Sequence, residues 1–179
     1  MTTDTPLFPL LLGDAWLQLA APVRQVHGGI HSITTRGTAD VNGANHLPAR
    51  LLRWLLGLPE PGAGQAVEVR IDRDGPTEVW TRRFASGQMR SVLARSRHGR
   101  LCERLGPVAL RFELRADADA IEWQLIGASM LGVPLPRLLL GTVSARCAAE
   151  DEQYLFAIEA SLPLLGVWIG YRGLLVADS

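Results

Sequence analysis

The chain has 179 residues, 47% of them hydrophobic and 20% charged, with 18 basic residues balanced by 18 acidic ones. That length suits a single domain, residues 1–179, with a core of its own, and the composition excludes a disordered chain. Zero net charge argues against a protein that binds nucleic acid by bulk electrostatics, although residues 70–115 hold 11 Arg against five acidic residues, a local +6. Every basic residue is Arg. The two cysteines, Cys102 and Cys147, fit neither a CxxC nor a zinc spacing, so a reducing, cytoplasmic compartment is expected. His27, His31, His46 and His98 show no metal-ligand spacing, and no cofactor is expected.

Taken in chain order, Leu10–Ala20 has apolar residues near helical spacing and is ended by Pro22. Gly29–Val41 is rich in β-branched residues and reads as a strand. Leu47–Leu56 reads as a second short helix, with Asn45 as its cap and Pro48 in its first turn. The loop Gly57–Gly64 follows. From Ala66 onward the hydrophobic period is two, and the predicted strands include Glu78–Phe84, Gln88–Arg97, Leu101–Leu105, Val108–Leu114, Ile121–Ala128, Thr142–Ala149, Gln153–Leu162 and Gly166–Val176. Turn residues stand between them, among them Asp74-Gly75-Pro76, Gly106-Pro107 and Asp117–Asp119. Short strands with turns every 8–12 residues or so predict an α+β, mainly β fold. Its form is an antiparallel β-barrel or strongly curled sheet, calycin-like or helix-grip-like, with two short N-terminal helices. A chain that ends in a strand counts against the helix-grip form. Residues 1–12 lack a basic n-region, so no secretory leader is expected. The apolar runs Trp123–Gly141 and Leu162–Val176 are interrupted by Pro and Arg, so no transmembrane segment is expected, while transient contact with a membrane surface stays open.

Two of these strands carry a charge in an apolar stripe. Strict alternation puts Arg82 on the face of Trp80 and Phe84, and Glu103 on the face of Leu101 and Leu105. An isolated charge is costly to bury, so an inward Arg82–Glu103 pair is the economical arrangement. It has two readings: a polar anchor in a ligand cavity, with Glu103 holding the guanidinium that clamps a ligand carboxylate or phosphate, or a buried salt bridge that only fixes strand register. Arg172 is a candidate third member if its face of the last strand is interior, and an exposed strand arginine otherwise. His27, before Gly28-Gly29 at the mouth of the first strand, is a candidate hydrogen bonder or base, or a structural histidine. Trp80 and Tyr171 would line a cavity, or simply fill a core. Pro134-Leu135-Pro136, with Met130, Leu131 and Leu138–Leu140, reads as a rigid crossover or as an apolar lid. No GxSxG, GxGxxG, P-loop or HExxH motif is present.

Trp80-Thr81-Arg82-Arg83-Phe84, Gly87, Ser91, Glu103 and Gly106-Pro107 together resemble a bacterial family catalogued as domain of unknown function 4166. Leu131–Pro136, Pro163, Gly166, Tyr171-Arg172-Gly173 and His27 extend the resemblance over most of the chain. It implies a stand-alone copy of an accessory domain whose relatives are fused to saccharopine-dehydrogenase-like reductases or DoxX-like membrane segments, and hence a reductase-type partner enzyme. The leading expectation is non-catalytic binding of a small hydrophobic or amphipathic, lipid-like ligand by Arg82, Glu103, Arg172, His27, Trp80 and Tyr171. The alternatives are an enzyme with Glu103 and His27 as acid–base and Arg82 as clamp, or a purely structural partner domain. Nucleic acid is not an expected partner.

Overall fold

Each period-two segment pairs with the next one in sequence. In the computed structural model, which describes residues 5–163 and 165–177, these are β1 (Ile33–Gly43), β2 (Gly62–Asp74), β3 (Thr77–Phe84), β4 (Gly87–Arg95), β5 (Leu101–Leu105) and β6 (Val108–Ala116). They continue as β7 (Ala120–Met130), β8 (Val133–Pro134), β9 (Thr142–Glu150), β10 (Gln153–Leu162) and β11 (Gly166–Ala177). β11 returns to β1 in a register running from Thr35↔Ala177 to Gly43↔Ile169, and β9 pairs with β7, so ten antiparallel strands close into a barrel. The two-residue β8 stands outside that ring, paired only to the end of β7. Closure leaves no open sheet edge along the ring.

The turns set this meander. Gly75-Pro76 and Gly106-Pro107 are two-residue links whose glycines take φ +55° and +51°, backbone that favours glycine. Asp151 and Glu152 take positive φ at the β9–β10 link without glycine. At Gly173 a Cβ would stand 2.3 Å from the Thr38 carbonyl oxygen and 2.7 Å from the Phe156 ring, so β11 needs glycine there to lie against β1. Opposite Ala160 and Ser161, β11 carries Trp168 as an extra, bulged residue, and Trp168 and Ile169 are both buried as a result.

The links β2–β3, β4–β5, β6–β7 and β9–β10 gather at one end of the barrel. The N-terminal helices cover it: α1 (Leu7–Leu12), a 3-10 helix (Gly13–Gln18) and α2 (Ala21–His27), which bury Leu7, Phe8, Val23 and Val26. The expected single helix Leu10–Ala20 is therefore corrected to two short elements, the end of α1 and the 3-10 helix, with α2 starting beyond it. Gly13, at φ +56°, breaks the first, and Pro22 lies in the first turn of α2 instead of ending a helix. Residues 1–4, part of the segment weighed as a leader, lie outside the described residues. The helix α3 (Leu47–Leu56) fills the β1–β2 link at the opposite end, where its cap is His46, whose Nδ1 accepts from Ala49 N–H at 3.2 Å, and not Asn45. No helix among the described residues is long and apolar enough to cross a membrane.

Candidate functional site

On β3 the inward face is Glu78, Trp80, Arg82 and Phe84, all buried. On β5 it is Leu101, Glu103 and Leu105. Arg82 and Glu103 meet inside the barrel, Nη1 to Oε1 at 3.3 Å. Register explains how they reach each other: Arg82 stands opposite Met89 on β4 and Glu103 opposite Leu93, so the arginine must cross β4 diagonally. The small Ser91 lies between those positions, and its Oγ accepts from Arg82 Nη1 at 2.9 Å. The guanidinium also stacks over the Trp80 ring, Cζ 4.8 Å from the centroid, a cation–π contact that fixes its plane.

The pair faces a cavity of about 120 Å³. Trp80, Phe84, Phe112, Trp123, Tyr154 and Tyr171 form much of its wall, with Leu56 and Leu58 toward the α3 end. Burial pushes the Tyr171 phenol up to about 12, and the Cys147 thiol on the same wall likewise to about 12, so both are neutral at ordinary pH.

Arg82 makes both of its hydrogen bonds through Nη1; its Nη2 and Nε, the second oxygen of Glu103 and the Tyr171 hydroxyl have no protein partner among the described residues. None of these atoms is sealed, since the unpartnered buried side-chain atoms are His27 Nδ1, Arg53 Nε and Trp123 Nε1. Three polar side chains thus hold unused hydrogen-bonding capacity toward one cavity. Trp123, also on the wall, adds an unanswered buried N–H.

A second polar group fills the N-terminal end. Glu78 takes Arg73 Nε at 3.3 Å on one oxygen and Trp80 Nε1 at 2.7 Å on the other. Arg73 further donates Nη1 to the His31 carbonyl at 2.6 Å and Nη2 to the Val26 carbonyl. Burial raises the Glu78 carboxyl above its usual range, against the pull of Trp80 and Arg73. His27, the last residue of α2, is fully buried against the Phe8 ring, and its Nε2 meets the Tyr154 hydroxyl at 2.9 Å. Burial, then the nearby Arg73 and Arg82 charges, pull its pKa from 6.5 to about 3, so it is a neutral imidazole.

A family model described as a domain of unknown function, DUF4166, matches residues 19–175. The chain belongs to the DUF4166 family. No curated protein matches it. The segments that carried the resemblance take distinct places in this DUF4166 barrel. Trp80-Thr81-Arg82-Arg83-Phe84 alternates cavity wall with outer face. In Tyr171-Arg172-Gly173, Tyr171 faces inward and Gly173 gives room to Phe156. Arg172 points out, ion-paired with Glu150 at 2.8 Å, so the structure does not bring it to the cavity. The third member of the inward group is Ser91. His27 is not on the cavity wall; it meets the wall through the Tyr154 hydroxyl and by packing its ring against Trp80, centroids 5.4 Å apart.

Sequence reasoning missed Glu78, Arg73, Ser91, Tyr154 and Arg53 as interior polar residues. Glu78 shares the parity of Trp80 and Arg82, so the alternation that singled out Arg82 already contained it. Ser91 likewise shares the parity of Met89 and Leu93, and Tyr154 that of Phe156, but neither is a charge in an apolar stripe, so alternation alone did not mark them.

Proposed function

We propose that this DUF4166 barrel binds a small amphipathic or lipid-like ligand without transforming it. The ligand's polar end meets Arg82, held by Glu103 and Ser91 against Trp80, and its apolar part lies among Phe84, Phe112 and Tyr171. The observation that carries this reading is the unanswered hydrogen-bonding capacity of Arg82, Glu103 and Tyr171 on one cavity. The Arg73–Glu78 pair spends its donors and acceptors on the protein, whereas the Arg82 group leaves part of its own open to the cavity, where a ligand's polar end can take the place of water. The cavity's about 120 Å³ is close to the roughly 150 Å³ that takes up one benzene ring. A longer ligand must therefore displace Leu56 or Leu58 and emerge at the α3 end. Both cysteines are unpaired, which agrees with a reducing cytoplasm, and a reductase-type partner remains part of this reading through the family resemblance.

Benzoate and hexanoate are suitable probes, followed by the fluorescence of Trp80 and Trp123 and by the rise in Tm. Native mass spectrometry of protein taken directly from cells looks for a retained small acid. Both acids should bind, and Arg82→Leu should weaken them at least tenfold, the loss expected for hydrogen bonds to a charged group. The double variant Arg82→Leu/Glu103→Leu avoids a lone buried carboxylate and serves if the single one folds poorly. Failure of both acids to bind at millimolar concentration, with no retained ligand, overturns the reading.

One observation favours a second reading. Tyr154, on the cavity wall, joins the cavity to His27, which leaves an acid–base enzyme using Glu103 and His27 with Arg82 as clamp. An imidazole that titrates near 3 is a weak base at neutral pH, so the binding reading is preferred.

A further inference from the structure

Helix α3 is apolar on both sides. Its inner face sets Ala49, Leu52 and Leu56 against the core beside Arg53, fully buried, with Nη1 donating to the Ala44 carbonyl at 2.6 Å and Nη2 to Glu60 at 3.1 Å. Its outer face carries Leu47 and Trp54, each 76% exposed, with Leu51 and Leu55 beside them. A surface helix ordinarily turns its apolar stripe to the core and its charge to water, so this arrangement leaves large apolar side chains unpartnered.

The same barrel end carries more of them. The chain crossing from β7 to β9 exposes Leu131 at 81% and Leu138 at 86%, along with Val133 and Leu139, and the start of β11 adds Val167. Strand direction fixes this coincidence, because the β1–β2, β7–β9 and β10–β11 links must all lie at the α3 end. Three separate segments therefore expose apolar side chains at the barrel end that holds the cavity's Leu56–Leu58 side.

Charge follows the same division. Links at the N-terminal end carry Asp74, Asp117, Asp119, Asp151 and Glu152 against Arg97 and Arg100, the latter paired with Glu113, so acid predominates there. The α3 end carries Arg50 and Arg137, both exposed and without an acidic partner among the described residues, while its Glu60 is taken by Arg53. Leucines with a tryptophan, flanked by arginines and kept apart from the acidic links, match the interfacial layer of an anionic bilayer. There the apolar side chains sink among acyl chains, the indole sits at headgroup depth and the guanidinium groups meet phosphates. Side chains projecting from separate links suit a deformable lipid layer better than a protein partner, which needs one complementary surface.

We propose that the α3 end of the barrel docks on an anionic lipid surface through the outer face of α3 and the 131–139 crossing, with Arg50 and Arg137 against lipid phosphates. Docking would bring the Leu56–Leu58 side of the cavity to the acyl layer, giving an amphipathic ligand a path that avoids water. Only this path rests on the ligand-binding reading; docking itself does not need the cavity.

The test is co-sedimentation of the full chain, without added ligand, with vesicles of phosphatidylcholine alone or with 30 mol% phosphatidylglycerol (about one lipid in three, enough for a strong surface potential). Binding should be strong with phosphatidylglycerol, weak without it and reduced by salt, with a blue shift in tryptophan emission. Trp54→Ser/Leu138→Ser should weaken it at least tenfold and leave Tm unchanged, since both side chains are in water in the free protein. Arg50→Glu/Arg137→Glu should abolish the preference for phosphatidylglycerol. Absence of vesicle binding, or binding untouched by these variants, overturns docking; so does a stable dimer in solution that Trp54→Ser/Leu138→Ser dissolves, which would make the face a self-association surface. Arg82→Leu separates the two ideas. Vesicle binding retained with benzoate binding lost supports both, whereas benzoate binding without vesicle binding removes docking alone.

Discussion

The two polar groups inside this barrel use the same chemistry to different completeness. Toward the N-terminal end, Arg73 donates through all three of its nitrogens and Glu78 accepts on both oxygens. Farther along the interior, Arg82 donates through one nitrogen and Glu103 accepts on one oxygen. The first group ties α2 and the segment before β1 to β2 and β3; the second faces an open volume. A buried polar group answered wholly by protein is scaffold. One left half-answered at a cavity is available to something else.

Substitution can break this comparison, and the largest effect should come from the scaffold side. Arg73→Leu strands Glu78 and two carbonyl groups, and breaking a buried pair in this way costs about 3–5 kcal/mol. Arg82→Leu should cost clearly less in urea denaturation, because it removes fewer bonds and leaves Glu103 beside a cavity that water can enter. Equal losses would mean that the Arg82 pair is as structural as the Arg73 pair.

Acid sharpens the same contrast. His27 is about 3 in the folded protein against 6.5 unfolded, so below pH 6.5 the unfolded chain binds a proton that the folded one refuses. Its share of stability is intact above pH 6.5 and falls as pH drops toward 3, by up to about 4 kcal/mol. Glu78 works in the opposite direction: its raised carboxyl is protonated earlier in the folded state, which favours folding as pH falls. His27→Phe keeps the ring packed on Phe8 and should flatten the loss between pH 6.5 and 4 in denaturation measured against pH. A variant as acid-sensitive as the parent would move the cause to other groups.

Much of the barrel was legible because its signals are local. Alternation marks a strand and its inward face, and Gly-Pro or Asp-Gly punctuation marks where one strand ends, so Arg82 and Glu103 could be placed inside before any contact was known. What is not local was not legible. That Arg82 reaches Glu103 across Ser91 depends on the register of three strands. Arg172 could not be assigned a face because both faces of its strand are apolar, one because it lines the cavity and the other because β11 carries apolar residues outward as well. Helix α3 was placed correctly along the chain, but its residues are apolar most of the way round, so periodicity did not tell Ala49, Leu52 and Leu56, which face the core, from Leu47, Leu51 and Trp54, which face water. Helix α2 was missed because Pro22 can end one helix or begin another.

The smallest predicted effect concerns Ser91, and it tests how the Arg82 group is built. The hydroxyl lies under the guanidinium where it crosses β4, and it is buried and bonded to nothing else among the described residues. Ser91→Ala removes one acceptor and leaves Arg82 held by Glu103 and stacked on Trp80, so stability should fall by only about 1 kcal/mol. Benzoate affinity should stay within about threefold of the parent, because a side chain that positions the arginine from beneath has no contact with the ligand to lose. A larger residue acts otherwise: Ser91→Leu would fill the crossing and push the guanidinium away from Glu103, reducing benzoate binding through displacement. Should Ser91→Ala instead cost as much binding as Arg82→Leu, the hydroxyl itself would be the ligand's partner and Arg82 its support.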